Sequence, residues 1–237
     1  MKDIPLHVSA TFIACVITCF GFMYYAVTSA ANKKEKSKAP MIALFGMIGW
    51  IGLHTILTNS GYFQDFEAFP PRIFLFVGAT LLFIIILFAI PRGRAFLAKM
   101  PITTLTYIHL IRVPVEIVLF WLFLNEVVPA DMTFEGSNLD ILSGITAPFV
   151  GVFLVGKKRS NRIGAILWNL VALGLLFNIV ITAILATPYF NEVQSGGILN
   201  SAIFYSPFSL LPLFVVPVVL FSHLVSLYQL IFVQEDY

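Results

Sequence analysis

The chain has 237 residues, of which 59% are hydrophobic and only 11% are charged. Soluble domains usually contain about 25% charged residues, so the composition excludes an ordinary soluble protein and predicts an all-α, polytopic membrane protein. At about 20 residues for each crossing, seven transmembrane helices and their short loops use the whole length. The formal net charge of +2 is small, and the basic loops are too short for nucleic-acid recognition. We therefore expect the lipid bilayer, and no nucleic acid, as a partner.

Apolar runs of helical length divide the chain into seven predicted spans, which form a single transmembrane domain. They cover residues 8–31, 41–58, 72–90, 102–124, 139–156, 163–186 and 202–233. We interpret the first run as a retained helix rather than a cleaved signal peptide, because its lysines follow the apolar residues instead of preceding them.

Several local features qualify these spans. Span five is short and contains Pro148, which we expect to break its helix. Span seven is too long for one straight crossing, so we expect its first part to be interfacial or kinked. Gly46, Gly49 and Gly52 form a stripe of small residues on span two, and such a stripe predicts close packing against another helix.

Charge alternates between successive connectors, and this alternation predicts the orientation. Most basic residues concentrate in the first, third and fifth connectors, and these are Lys33, Lys34, Lys36, Lys38, Arg92, Arg94, Lys99, Lys157, Lys158, Arg159 and Arg162. Basic loops stay in the cytoplasm, so the amino terminus is predicted outside and the carboxyl terminus in the cytoplasm. We expect a multi-pass protein of a cell membrane, and a bacterial inner membrane fits best because no organelle signal is recognisable.

Span four (residues 102–124) carries an unusual set of ionisable residues near its middle. At about 100° per residue, His109, Arg112 and Glu116 fall within roughly 60° of one helix face. Ionisable groups inside a membrane usually face a bundle interior or a wet cavity, and they mark functional sites. Pro114 lacks a backbone N–H and therefore predicts a kink beside these charges. The sequence thus predicts a buried polar site near the midplane.

Other polar residues match this site in depth when each helix is given a rise of 1.5 Å per residue. The match predicts two polar tiers around Arg112 and a polar outer mouth. Their members are Glu116, His54 and Asn178 in the outer tier, His109, His223 and Asn169 in the inner tier, and Asp140 and Glu135 at the mouth.

Simpler roles remain open for some of these residues. Arg112 and Glu116 are spaced i,i+4, so they could form an ion pair that only braces the bundle. Asp140 stands where a carboxylate would cap the fifth helix, and we favour that role over ligand binding.

The histidines raise the question of a metal or haem, since imidazole is the commonest metal ligand. The possible ligands are His109, His223, His54 and Glu116. Each histidine stands alone on its helix, and the chain contains neither His-Glu-x-x-His nor Cys-x-x-Cys. We therefore expect no cofactor, with a metal or haem site as the alternative.

Three functional hypotheses follow from the polar site. A small-solute or ion/proton-coupled transporter would use Glu116 to carry a proton or cation and Arg112 to hold an anionic group. An intramembrane enzyme acting on a lipid-like substrate would use Glu116 or a histidine as its acid–base group, with or without a metal. A ligand-sensing membrane protein would need a separate partner, because the loops are short. The midplane position of the ionisable residues favours the transporter, so we expect a small polar or ionic solute.

Overall fold

The computed structural model describes residues 4–31, 38–156, 161–190 and 197–233, and the described residues form helices, turns and no strands. The α-helices are α1 (Leu6–Ala30), α2 (Ala39–Asn59), α3 (Arg72–Ala89), α4 (Pro91–Leu97), α5 (Ile102–Tyr107), α6 (Arg112–Leu124), α7 (Ile141–Phe153), α8 (Arg162–Leu185) and α9 (Val216–Phe232). Outside the described residues lie six of the basic residues used for orientation, which are Lys33, Lys34, Lys36, Lys157, Lys158 and Arg159.

Six helical segments of the described chain are long and apolar enough to cross a membrane. They are Leu6–Ala30, Ala39–Asn59, Arg72–Ala89, Ile102–Leu124, Arg162–Leu185 and Leu211–Phe232. The prediction of an all-α protein with membrane-spanning helices is therefore confirmed, with six such helices in place of the seven expected. Helix α7 accounts for the difference, because its 13 residues fall short of the roughly 20 that a full crossing needs.

The two proline-containing segments behave differently. The expected break at Pro148 is wrong, since α7 continues through this residue. A proline removes only one intrahelical hydrogen bond, and the packing of α7 on its neighbours preserves the helix. Span seven does begin irregularly, as expected. A 3₁₀ turn at Ala202–Phe204 and a π-helical segment at Leu211–Val215 precede α9.

The predicted span four is interrupted at its centre. A 3₁₀ segment at Ile108–Ile111 joins α5 to α6. The backbone N–H of Arg112 bonds to the carbonyls of His109 and Leu110, and Pro114 has no N–H to offer the Leu110 carbonyl. Tight 3₁₀ turns inside a longer helix often mark functional hinges.

Helix α7 packs against this interruption through small residues. A Cβ atom added to Gly144 would lie 2.7 Å from Cγ2 of Val113, and one added to Gly151 would lie 2.5 Å from the Tyr107 ring. Val113 is the second residue of α6, so α7 begins beside the start of α6 rather than beside its end. The connector between them (residues 125–140) therefore returns along α6 before α7 begins.

This close approach leads to a first expected result. Gly144→Ala should destabilise the protein by about 1–3 kcal/mol, because the added methyl group meets both the Val113 side chain and its backbone nitrogen. Gly174→Ala is the matched control, since a Cβ there has no neighbour within 4 Å and alanine favours the helix. Denaturant unfolding in detergent measures both changes. If Gly174→Ala lowered the free energy of unfolding as much as Gly144→Ala, the close packing of α7 on the start of α6 would be contradicted.

The predicted packing of the glycine stripe on α2 is wrong among the described residues. A Cβ added to Gly46, Gly49 or Gly52 would have no neighbour within 4 Å. Helix α2 instead turns the face with His54 and Thr58 toward the interior, and these are its buried residues. The hydropathy of α2 does not distinguish its two faces, so the sequence offered no sign of which one is buried.

Candidate functional site

Arg112 lies in the interior and is only 3% exposed. Its Nε donates to Oδ2 of Asp140 at 2.6 Å, and its Nη2 donates to the other carboxylate oxygen, Oδ1. Nη2 also donates to the Ala172 carbonyl at 3.0 Å, and Nη1 lies 3.1 Å from Nε2 of His223. The guanidinium thus holds Asp140 with two parallel bonds, the strongest geometry for an arginine–carboxylate pair.

The hydrogen bonds of Asn169 determine which nitrogen of His223 carries the proton. The Asn169 Nδ2 donates to the Ala165 carbonyl at 2.9 Å, which orients the amide. Its Oδ1 must then accept from Nδ1 of His223, 2.9 Å away. The proton therefore sits on Nδ1, and Nε2 is free to accept from Arg112. The bond from Arg112 requires His223 to be neutral, because an imidazolium has no nitrogen that can accept.

His109 stacks on His223, and its two ring nitrogens make no hydrogen bond among the described residues. The two ring centroids are 3.8 Å apart with planes inclined by 24°, and the Trp168 ring lies 5.4 Å from His109. His109 is fully buried, yet neither of its ring nitrogens has a hydrogen-bond partner among the described residues. Buried polar groups without partners are rare and costly, which makes His109 a candidate functional residue.

Asn138 joins Glu116 to the Arg112–Asp140 pair. Its Nδ2 lies 2.7 Å from each carboxylate oxygen of Glu116 and 3.0 Å from the Met132 carbonyl. Its Oδ1 accepts from the backbone N–H of Asp140 at 3.0 Å. An amide nitrogen has two hydrogens, and one of them is directed to Met132, so the two oxygens of Glu116 share the other.

These contacts form one continuous structure inside the helical bundle, which we call the polar network. Its members are Glu116, Asn138, Asp140, Arg112, His223 and Asn169, with His109 stacked on it. All of them are buried. The network runs from α6 through the connector to α8 and α9, and it is surrounded by apolar helices.

Two of the simpler roles considered for these residues do not match the structure. Arg112 pairs with Asp140 and not with Glu116, so the i,i+4 ion pair is not formed. Asp140 precedes α7 but makes no side-chain capping bond, because Arg112 takes its carboxylate. Asp140 is also buried rather than at an outer mouth, since the connector carries it back along α6.

His54 lies apart from the polar network. Its ring is fully buried among aromatic rings, with centroids at 4.4 Å for Trp50, 5.0 Å for Phe76 and 6.1 Å for Phe63. A match in depth does not make two helices neighbours, and α2 directs this histidine into a separate aromatic cluster.

Asn178 and Glu135 are also outside the polar network. Asn178 is exposed and donates to the Ser137 carbonyl at 3.1 Å. Glu135 is exposed as well, and its backbone N–H donates to Oγ1 of Thr133. Glu135 lies in the connector and Asn178 bonds to it, but neither residue contacts a member of the polar network.

Sequence reasoning missed Asn138. The residue lies in a stretch whose composition predicts a solvated loop, and its only signal is the alternation of Asn138 and Asp140 around the apolar Leu139. Among the described residues, no three His, Cys, Asp or Glu side chains are grouped so that they could hold a metal ion. The histidines proposed as ligands lie in two separate places, with His54 apart from His109 and His223.

The fold and the site together define a helical, multi-pass membrane protein with an ionisable network in its interior. A family model described as a domain of unknown function, DUF8737, matches residues 70–231, which is more than half of the chain. The chain belongs to this family, and the matched residues include every member of the polar network. No curated protein and no solved structure matches the chain.

Proposed function

We propose that this protein is a proton-coupled transporter of a small polar or ionic solute. The observation that carries the proposal is the polar network, buried among helices long and apolar enough to span a membrane. A buried ion pair is a weak source of stability, so stability alone is a poor reason to keep one there. Ionisable groups at such depth typically serve ion or solute pathways.

Glu116 is the group we assign to carry the proton. Its two oxygens share a single amide hydrogen of Asn138, and it makes no ion pair among the described residues. A buried carboxylate with so little compensation is costly as an anion, and protonation removes that cost. The stacked pair of His109 and His223 extends the pathway, since His109 has ring nitrogens available to accept or pass a proton.

We propose that the chain crosses a cell membrane seven times, with the amino terminus outside and the carboxyl terminus in the cytoplasm. The returning connector and α7 together would make the fifth crossing, so the count does not require α7 to span alone. The described basic residues near the ends of the predicted spans support this orientation. Lys38 precedes α2, Arg92 lies in the short helix α4, and Arg162 begins α8, and all three are on the side predicted to be cytoplasmic. A bacterial inner membrane remains our proposal for the location.

The short helix α7 suggests how solute could reach the site. Its first turn lies beside Val113, at the level of the polar network, and the connector leads to it from the end of α6. Interrupted helices that begin near the midplane are typical of transporter binding sites. Movement of the connector and of the first turn of α7 would open the network, and it would break the hydrogen bond from Asn178 of α8 to the Ser137 carbonyl.

The test measures solute-driven proton uptake into liposomes that contain the purified full chain and an internal pH-sensitive dye. Lactate, glycerol or choline is added outside as an anionic, neutral or cationic probe. We expect one of these probes to acidify the lumen faster than in empty liposomes. Glu116→Gln should slow this uptake about 100-fold, because it removes the proton carrier and keeps the shape.

Glu67→Gln is the control, since Glu67 is an exposed acid in a different loop. It should leave proton uptake unchanged. Uptake that is absent with all three probes, or that persists unchanged in Glu116→Gln, would contradict the proposed function.

A further inference from the structure

We propose that Arg112 is the binding site for a carboxylate group of the transported solute, and that Asp140 is the protein's own carboxylate that occupies this site when solute is absent. The inference rests on the proposed function and specifies its substrate class as small carboxylates. It follows from the different ways in which the two partners of the ion pair are held.

Arg112 is anchored by contacts that do not involve Asp140. Its Nη2 donates to the Ala172 carbonyl on α8, and its Nη1 bonds to His223 on α9. His223 is in turn oriented by Asn169. The guanidinium would therefore keep its place and orientation after Asp140 leaves, which is what a receptor for a planar carboxylate requires.

Apart from Arg112, the side chain of Asp140 has no anchor among the described residues. Its carboxylate oxygens bond to Arg112 alone among the described residues, and it makes no capping bond to α7. Its backbone N–H donates to Asn138 and its carbonyl accepts from the N–H of Ser143 in the first turn of α7, so it is attached to the connector and to this turn rather than to a long spanning helix. A change at the end of the connector is enough to withdraw this carboxylate from Arg112.

Charge balance determines how many protons are taken up when a carboxylate of the solute replaces that of Asp140 at Arg112. A buried guanidinium needs one counter-ion, and a carboxylate of the solute can replace that of Asp140 without a change in charge at Arg112. The displaced Asp140 stays inside the protein and must take up one proton to become neutral. One proton therefore enters with each carboxylate, and the net charge of the site is unchanged.

Four ionisable groups of the polar network affect this protonation. Arg112 contacts Asp140 directly, and Glu116 on α6 is connected to it through Asn138. His223 on α9 contacts Arg112, and His109 in the 3₁₀ segment stacks on His223. The nearby residues of α7 and α8 that contact the network are uncharged. Glu116 is linked to Asp140 through Asn138, so the proton carrier of the proposed transporter lies beside the carboxylate that would receive the proton.

The experiment measures binding of acetate, lactate and benzoate to the full-length protein in detergent by calorimetry. Two carboxylate-free buffers of different ionisation enthalpy report the number of protons taken up. We expect the wild-type protein to bind at least one of the three with uptake of one proton. Its affinity should then fall by up to about tenfold for each unit by which the pH is raised, because binding takes up one proton.

Variants separate the roles of the two residues. Asp140→Asn should bind the same carboxylate at least tenfold more tightly at neutral pH and without proton uptake. Arg112→Met combined with Asp140→Asn should not bind it, and Glu67→Gln should behave as wild type. The wild-type proton count does not depend on whether any variant folds.

Three outcomes would overturn the inference. They are no binding to the wild-type protein, binding without proton uptake, and binding that persists in the double variant without Arg112. Failed binding with intact Glu116-dependent proton uptake in liposomes would overturn only the carboxylate site. Binding without any flux would overturn the transporter and leave the site.

Discussion

Arg112→Met is expected to lower the free energy of unfolding by about 3–5 kcal/mol. The substitution leaves the Asp140 carboxylate buried without a counter-ion and removes the donor to Nε2 of His223. An uncompensated buried charge costs far more than the lost pair contributes. The loss of stability in Arg112→Met should therefore exceed the loss caused by replacing any exposed arginine. Reversible denaturation in mixed detergent micelles measures the change.

The matched variants distinguish an ion pair from a general loss of packing. Combining Arg112→Met with Asp140→Asn removes both charges, and it should recover most of the stability but abolish solute-driven proton uptake. Arg94→Met, at an exposed arginine that bonds to carbonyls at the end of α3, should cost less than about 1 kcal/mol. A single variant as stable as wild type, or a double variant no better than the single one, would contradict the pairing.

Asn138→Ala is expected to cost about 2–4 kcal/mol and to slow proton uptake. The amide donates to Glu116 and Met132 and accepts from the backbone of Asp140, so its removal leaves three buried groups without partners. It also cuts the link between Glu116 and Asp140. Unfolding and liposome assays on the same preparation test both effects.

Asn178→Ala is the comparison for this substitution. Asn178 is exposed and makes one hydrogen bond, to the Ser137 carbonyl, so its loss should cost less than about 1 kcal/mol and leave proton uptake unchanged. Equal effects at the two asparagines would show that the amide of Asn138 has no special role.

The centre of the polar network could be predicted from the sequence because charge is expensive in an apolar segment. His109, Arg112 and Glu116 interrupt a span that is otherwise hydrophobic, and all three are buried. The counter-ion of Arg112 could not be assigned in the same way. Depths were counted along helices, whereas the connector returns along α6 and brings Asp140 down to the level of Arg112.

The sequence does not show which helices are neighbours, and the predictions for His54 and for the glycine stripe of α2 differ from the structure for this reason. His54 has the right depth and residue type, but α2 directs it toward Trp50 and Phe76. The glycine stripe of α2 has the right spacing for packing, yet its face has no neighbour in the described chain. Periodicity shows that a helix has distinct faces, and hydropathy shows its length, but neither shows which helix lies beside it.

The shortness of α7 also affects how the protein is made. A largely apolar helix of 13 residues is too short to enter the bilayer as an independent span, so we expect α7 to take its place only after α6 and α8 have inserted. Arg112 precedes its counter-ion by 28 residues and therefore enters the membrane before Asp140 is available. Docking of the connector and α7 is then a late step of biogenesis. Defects in the network should accordingly yield correctly inserted chains that quality-control proteases remove.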